Sequence, residues 1–102
     1  MKRFFCILLT LLIVDITALQ AQNQDKKAVT SILDALHLYA HEADGKKYFS
    51  LYSDDAVFMG TDATERWPIG EFKTYANARF ETGKGWTYTP TSRNIYFNEN
   101  RD

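Results

Sequence analysis

Cysteine is almost absent from this sequence. The one cysteine, Cys6, lies close to the amino terminus inside an apolar stretch. A single thiol cannot form an intramolecular disulfide, and a thiolate metal site needs several sulfur ligands. Side-chain burial therefore has to stabilise the fold without covalent cross-links.

An excess of positive charge is absent as well. The chain has 12 Lys and Arg residues against 13 Asp and Glu residues, a net charge of −1. Nucleic acids and anionic membrane surfaces both require clustered positive charge. The basic pairs at 26–27 and 46–47 are more typical of solvated helix ends, so we expect no nucleic-acid partner.

The familiar catalytic motifs are missing. There is no G-x-S-x-G, no H-E-x-x-H and no glycine-rich phosphate loop, and Gly83-Lys84-Gly85 indicates a helix stop followed by a loop. His37 and His41 have a spacing that can hold a metal, but no third ligand follows at a suitable distance. We therefore predict no metal and no cofactor, and regard His37 alone as a more plausible pocket residue.

The longest apolar run, Phe4 to Val14, is too short to span a bilayer, which takes about 20 residues. Lys2 and Arg3 precede it, and the small residue Ala21 follows a polar break. This order is typical of a secretory signal. A membrane anchor is the alternative, and Asp15 argues against it. We expect cleavage after Ala21, which removes residues 1–21 and the cysteine and leaves a secreted or periplasmic protein without a stable membrane anchor.

Helical spacing dominates the next part of the chain. Residues 22–26 form a polar tail, and from Ala28 apolar residues recur every three or four positions, which predicts a helix of about four turns. Asp44 is suited to an N-cap and Gly45 to a C-cap. Lys46 to Tyr52 is then expected to form a second, shorter helix.

Strand patterns follow. Ala56 to Met59 indicates a strand, and Pro68 suits the first position of a third helix, which Gly83 should end. Trp86 to Phe97 alternates as a long strand, with Pro90 implying an edge position or a bulge.

The order of these elements, together with "YFSLYSDDAVFMGTDATERW" and "GWTYTPTSRNIYF", resembles the SnoaL-like branch of the nuclear transport factor 2-like superfamily. That superfamily also contains ketosteroid isomerases and polyketide cyclases. The resemblance implies an α+β fold: a strongly curved antiparallel, cystatin-like sheet with helices closing its concave side around a conical pocket.

The resemblance covers about residues 27–98. Two predicted strands cannot cover three amphipathic helices, and the turn-like Asn98 to Asp102 lacks a return strand. We therefore expect residues 27–102 to be a partial, C-terminally truncated domain with the order α-α-β-α-β. The resemblance implies that three or four later strands are missing.

In ketosteroid isomerases a catalytic aspartate follows the first strand, in a pattern like D-D-A-x-V-x-D-P. When that pattern is aligned with Asp54 to Met59, the catalytic position falls on Gly60. Glycine has no side chain that could accept or donate a proton. Asp62 lies two residues further on and reaches a pocket only if the loop turns back. The resemblance thus leaves enzymatic activity open, and any activity would be acid/base chemistry without a cofactor.

The polar cluster after the first strand is the main candidate site. Asp62 and Glu65 are the candidate proton acceptors, because a buried carboxylate beside an apolar wall has a raised pKa. Arg66 and Trp67 could line the same pocket. The alternatives are loop capping by Asp62, surface pairing of Glu65 with Arg66, and packing of Trp67 in the core.

Abundant tyrosines can line an apolar pocket, and we place Tyr48 and Tyr88 there first. Three functions remain open. The protein binds a small hydrophobic molecule, it is a non-catalytic association module that forms a homodimer when the domain is complete, or it is an inactive fragment whose open sheet edge promotes aggregation.

Overall fold

The structure, a computed structural model, describes residues 2–100, with side chains from residue 16 onward. Three helices and a small antiparallel sheet make up the regular structure, which confirms the α+β class. The described residues contain only two short strands of the curved sheet that the resemblance implies. In chain order the elements are α1 (Lys2–His41), α2 (Gly45–Ser50), β1 (Val57–Met59), β2 (Arg66–Pro68) and α3 (Ile69–Phe80).

The chain divides into two units. The first contains residues 1–31 and 95–102, of which residues 2–31 belong to α1 and residues 95–98 are irregular. Residues 22–26, predicted as a polar tail, are helical, because no residue between positions 2 and 41 is a glycine or proline that would break the helix. Over the part of the chain with described side chains, no helix combines the length and apolarity needed to cross a membrane.

The second unit, residues 32–94, begins with the last turns of α1. That helix ends in a Schellman motif: the Ala43 amide donates to the Ala40 carbonyl at 3.3 Å and the Asp44 amide to the Tyr39 carbonyl at 3.0 Å. Ala43 is the left-handed residue, with φ of 56°. The predicted C-cap role of Gly45 is therefore wrong, because the chain turns two residues earlier.

Asp44 does cap α2, as predicted. Its carboxylate accepts a hydrogen bond from the Lys47 amide at 3.1 Å. Pro68 is the N-cap residue of α3, one position before the predicted first-turn position. The α3 helix ends at Phe80, and Gly83 follows with φ of +79°, in agreement with the predicted helix stop.

The sheet pairs β1 with β2 in an antiparallel hairpin, and Phe58 lies opposite Trp67. β1 was predicted to within one residue, whereas β2 was missed because its sequence was interpreted as a loop before α3. In the structure Arg66 to Pro68 is a strand since the chain turns at residues 61–64 and returns beside β1.

The predicted long strand at 86–97 is wrong: residues 84–98 join no β-ladder. A strand requires a neighbour for its backbone hydrogen bonds, and here the neighbour is a helix. The segment passes along α1 toward that helix's amino terminus. Its contacts with α1 are Trp86 amide to Ala40 carbonyl (3.1 Å), Thr87 Oγ1 to His41 Nδ1 (2.7 Å), the Tyr88 ring to the His37 ring (6.2 Å between centroids) and Arg93 to Asp34 (2.9 Å).

Aromatic rings form most of the core. Tyr48 is the central residue, because its ring lies 4.9 to 6.4 Å from the rings of five neighbours, which belong to α2 and the turn after it, to α3 and to the segment after α3. These centroid distances are typical of favourable aromatic pairs. The buried residues are Ala40, Tyr48, Phe49, Phe72, Ala76 and Phe80.

Candidate functional site

One cavity of about 580 Å³ opens within the unit of residues 32–94. Its wall is formed by α1, α2 and the turn after it, β1 and the loop of the hairpin, α3 and the segment after α3, whereas β2 contributes no residue. The wall consists of Leu36, His37, Ala40, Tyr48, Tyr52, Phe58, Met59, Gly60, Thr61, Glu65, Phe72, Tyr75, Arg79, Trp86 and Tyr88.

Stacked rings build the apolar part of this wall. Phe58 on β1 lies parallel to Phe72 on α3, with centroids 3.8 Å apart. Trp86 stacks on Phe80 at 4.7 Å. The hairpin register makes the first pair possible, because Phe58 lies on the sheet face that packs against α3. Flat ligands that stack or slide between rings are suited to such walls.

A pair of phenols supplies the polar group nearest the core. The hydroxyls of Tyr48 on α2 and Tyr52 in the turn that follows this helix are hydrogen-bonded at 2.9 Å, and their ring centroids lie 5.4 Å apart. Burial raises the pKa of Tyr48 far above the ordinary value for a phenol, and the hydrogen bond to Tyr52 raises it further. Burial also raises the pKa of Tyr52. Both phenols therefore keep their protons at neutral pH and can donate a hydrogen bond.

Glu65 belongs to the wall because of its register in the hairpin. The Gly60 amide donates to the Glu65 carbonyl at 2.8 Å, so the two residues face each other across the strands. Directly opposite residues place their side chains on the same face of a sheet. Phe58 is two residues from Gly60 along its strand and shares that face, which faces the cavity.

The other candidate carboxylate, Asp62, lies outside the cavity wall. Its Oδ1 accepts hydrogen bonds from the amide and the hydroxyl of Thr64, both at 3.0 Å. The Thr64 amide, followed by the hydroxyl, holds the pKa of this fully exposed carboxylate below its usual range. Asp62 thus stabilises the hairpin turn, which matches the loop-capping alternative.

The structure brings four of the seven predicted pocket residues to one cavity: Tyr48, Glu65, Tyr88 and His37. Arg66 is exposed and lies outside the wall together with Asp62. Trp67 also lies outside; it packs against the core, and its ring lies 5.3 Å from that of Tyr75.

The histidines on α1 have separate partners. The His37 ring approaches Tyr88, whereas His41 Nδ1 shares a hydrogen bond with the Thr87 hydroxyl. Within the described side chains, no three His, Cys, Asp or Glu residues are grouped closely enough to hold a metal.

Several wall residues were missed at the sequence level. Phe72, Tyr75 and Arg79 have spacings of three and four on α3, so one face of this helix meets the cavity. Their helical periodicity was visible and predicted the helix, but these residues were not assigned to a pocket. The position of Trp86 beside them depends on the course of the chain after α3, which the alternating pattern misrepresented as a strand.

The fold and the cavity together define an α+β protein with an aromatic pocket closed on one side by helices. The family model described as SnoaL-like domain matches residues 29–102. The chain belongs to this family, which has the nuclear transport factor 2-like fold, a fold that often binds small hydrophobic molecules. No curated protein and no solved structure matches the chain.

Proposed function

We propose that this protein binds a small, largely apolar molecule in the cavity beside Tyr48. The observation that carries the proposal is the cavity itself: seven aromatic side chains and few polar groups line about 580 Å³. Ligand pockets typically have volumes of about 300–1,000 Å³ and combine apolar walls with a few convergent polar groups.

The arrangement of the wall supports a ligand with a flat ring system. Phe58 and Phe72 contribute stacked rings to the wall, and the ring of Trp86 lies 5.8 Å from that of Tyr48. The Tyr48–Tyr52 phenols can donate a hydrogen bond to a ligand oxygen. Such groups orient the ligand, while ring burial supplies most of the affinity.

Acid/base chemistry without a cofactor is a further part of this proposal. Glu65 is the carboxylate in the wall, whereas Asp62 is occupied by Thr64. A general base has to approach the proton that it removes to within about 3 Å. Glu65 is therefore the better supported of the two candidate proton acceptors.

Fluorene, an apolar three-ring hydrocarbon, is a suitable probe. We expect it to quench tryptophan fluorescence saturably, because Trp86 lines the cavity. Tyr88→Ala should weaken its binding about three- to tenfold, since the ring of Tyr88 contributes to the wall although it is 65% exposed. Tyr96→Ala is the matched control: that ring is 87% exposed and lies outside the wall. Equal weakening by the two variants, or no saturable binding, would refute the proposal.

We also propose that the protein is exported. The basic Lys2 and Arg3, the apolar run that follows and the small residue Ala21 support removal of residues 1–21. Mass spectrometry of the protein recovered from a secreting host should find Gln22 at the amino terminus. Ala21→Arg should block this cleavage, and an unprocessed protein confined to the cytoplasm would contradict export.

The backbone of β1 favours a second candidate function, in which this strand pairs with a strand of another protein chain. Since residues 58 and 60 face β2, the amides and carbonyls of Val57 and Met59 point to the outer edge, and neither amide has a hydrogen-bond acceptor in the described chain. The outer edge of β2 offers no such donors: Pro68 lacks an amide hydrogen, and the Arg66 amide donates to Thr64.

The partner that fits this edge is a second copy of β1 running antiparallel, with Val57 opposite Met59 of the copy. This pairing is self-complementary, as a two-fold dimer requires. Sedimentation velocity should detect a concentration-dependent dimer in the wild type. Val57→Pro removes one of the outward amides and should abolish the dimer, whereas Val57→Thr should preserve it. A monomer at every concentration excludes association.

A further inference from the structure

The Glu65 carboxylate occupies the space that a side chain at position 60 would take. A Cβ built on Gly60 would meet Glu65 Oε2 and would lie 2.9 Å from the Glu65 Cβ and 3.0 Å from its Cδ. Glycine at position 60 therefore allows the carboxylate to lie against the backbone of β1 at the cavity wall.

This carboxylate has no protein partner. Among residues 16–100, Glu65 makes hydrogen bonds only through its backbone, to Gly60 and Asp62, and forms no ion pair. It is also the single acidic side chain in the wall. An ionised carboxylate only accepts hydrogen bonds, so a group that satisfies it has to be a donor.

Arg79 and the two core phenols of the wall have protein partners. Arg79 donates from Nη2 to the Gly85 carbonyl at 3.1 Å, and Tyr48 and Tyr52 share a hydrogen bond with each other. Glu65, an exposed residue, is thus the one anionic group of the wall, and its carboxylate makes no hydrogen bond within the described protein.

We propose that the ligand class of this cavity is a flat, apolar ring system bearing one N–H or O–H donor, and that this donor binds Glu65. The inference rests on the proposed function, because it specifies what the same cavity binds. Ring burial against Phe58 and Phe72 supplies affinity, and the donor to Glu65 supplies selectivity.

The selectivity arises because a missing hydrogen-bond donor costs more affinity than a missing apolar group. A ligand of the same shape without a donor displaces water from the carboxylate and returns no hydrogen bond. Sites that hydrogen-bond a substrate reject analogues lacking the matching group far more strongly than apolar pockets reject a missing methylene. Gly60 is the positioning residue, since any larger residue there moves the carboxylate.

Carbazole and fluorene test this inference because they have the same three-ring shape. Carbazole carries an N–H group at the position where fluorene has a CH₂ group. We expect the wild-type protein to bind carbazole about five- to tenfold more tightly than fluorene, measured by quenching of tryptophan fluorescence. Glu65→Leu should reduce this ratio to about one while fluorene affinity stays the same or increases. Glu71→Leu, at an exposed acidic residue on α3 outside the wall, should leave the ratio unchanged.

Gly60→Ala is an independent variant that leaves Glu65 itself intact. Moving the carboxylate should lower the carbazole-to-fluorene ratio, with fluorene binding serving as the measure of an intact cavity. If wild-type protein binds both compounds equally, or if Glu65→Leu keeps the ratio, the inference is overturned and the proposed function stands. If neither compound binds, the proposed function itself fails.

Discussion

The rings of Phe58 and Phe72 lie parallel, with centroids 3.8 Å apart and an interplanar angle of 3°. This contact joins the first strand of the hairpin to α3 and forms part of the cavity wall. Phe72 is 4% exposed, so the contact belongs to the core as much as to the site.

Phe72→Leu should therefore destabilise the fold. We expect the free energy of unfolding to fall by about 1–2 kcal/mol, because the smaller side chain keeps the apolar burial but loses the ring contact. Urea denaturation followed by circular dichroism measures the change. Tyr96→Leu, at a largely exposed ring, should stay within about 0.5 kcal/mol of wild type. A similar loss in both variants would contradict the assigned core.

Gly85 lies tightly against the end of α1. A Cβ there would meet the Ala40 carbonyl oxygen and would lie 2.8 Å from the His41 carbonyl oxygen. Gly85→Ala should lower the free energy of unfolding by about 1–3 kcal/mol, because backbone has to move. Gly70→Ala is the matched control on α3, where nothing lies within 4 Å; it should raise stability by about 0.5–1 kcal/mol through helix propensity. Chemical denaturation should show that the free energy of unfolding falls in Gly85→Ala and rises in Gly70→Ala.

Ala43 holds a left-handed conformation that disfavours residues with a Cβ. Ala43→Gly should raise the free energy of unfolding by about 0.5–1 kcal/mol, since glycine relieves the strain but adds entropy to the unfolded chain. Ala78→Gly makes the same change at an exposed position within α3 and should cost about 0.5–1 kcal/mol. Thermal melts that show both variants destabilised would refute the Schellman geometry at Ala43.

Asp62 should titrate below its ordinary value of about 3.9, because Thr64 donates two hydrogen bonds to its ionised form. Its pKa is lower in the folded than in the unfolded state, so its stabilising contribution is present above the unfolded value and disappears as the pH falls through the folded value. Thr64→Val removes the hydroxyl and should raise the pKa part of the way. Carbon-detected NMR titration measures this, with Thr61→Val as the control that retains both donors.

For Tyr48 and Tyr52 we expect the opposite pH dependence of stability, with the loss occurring at high pH. Their pKa values are raised in the folded state, so their contribution is complete below the ordinary phenol value of about 10 and is lost as the pH rises above it. Ultraviolet titration of the folded protein should show two phenols that resist ionisation. Tyr48→Phe should remove one of them; if the number of resistant phenols stays at two, the burial of Tyr48 is disproved.

Local signals in the sequence were sufficient for much of the fold. The β1 strand, the Asp44 cap and the α3 helix each depend on residues within a few positions, and all three were predicted nearly in place. The family resemblance, carried by residues from Tyr48 onward, is confirmed by the match over residues 29–102.

Long-range pairing could not be predicted in the same way. The alternation of Trp86 to Phe97 is what a strand requires, but a strand forms only where another strand offers hydrogen bonds, and this segment lies along α1. The β2 strand was not predicted, for the opposite reason. Its three residues carry no alternating pattern, and their structure depends on pairing with β1.

In the candidate site, too, local sequence identified the residue types, whereas their positions depend on long-range pairing. Glu65 and Asp62 are equally plausible acids in the sequence, and their difference arises from hairpin register and from the hydrogen bonds of Thr64. Neither can be deduced without knowing that residues 66–68 form a strand.

The unbroken course of α1 has a consequence for a processed chain. Removal of residues 1–21 would create a new helix start at Gln22, with a free amino group whose positive charge opposes the helix dipole. Asp25 would then lie in the first turn, where a carboxylate interacts favourably with both the amine and the exposed amides. The newly formed end would thus carry its own compensating charge from the moment of cleavage.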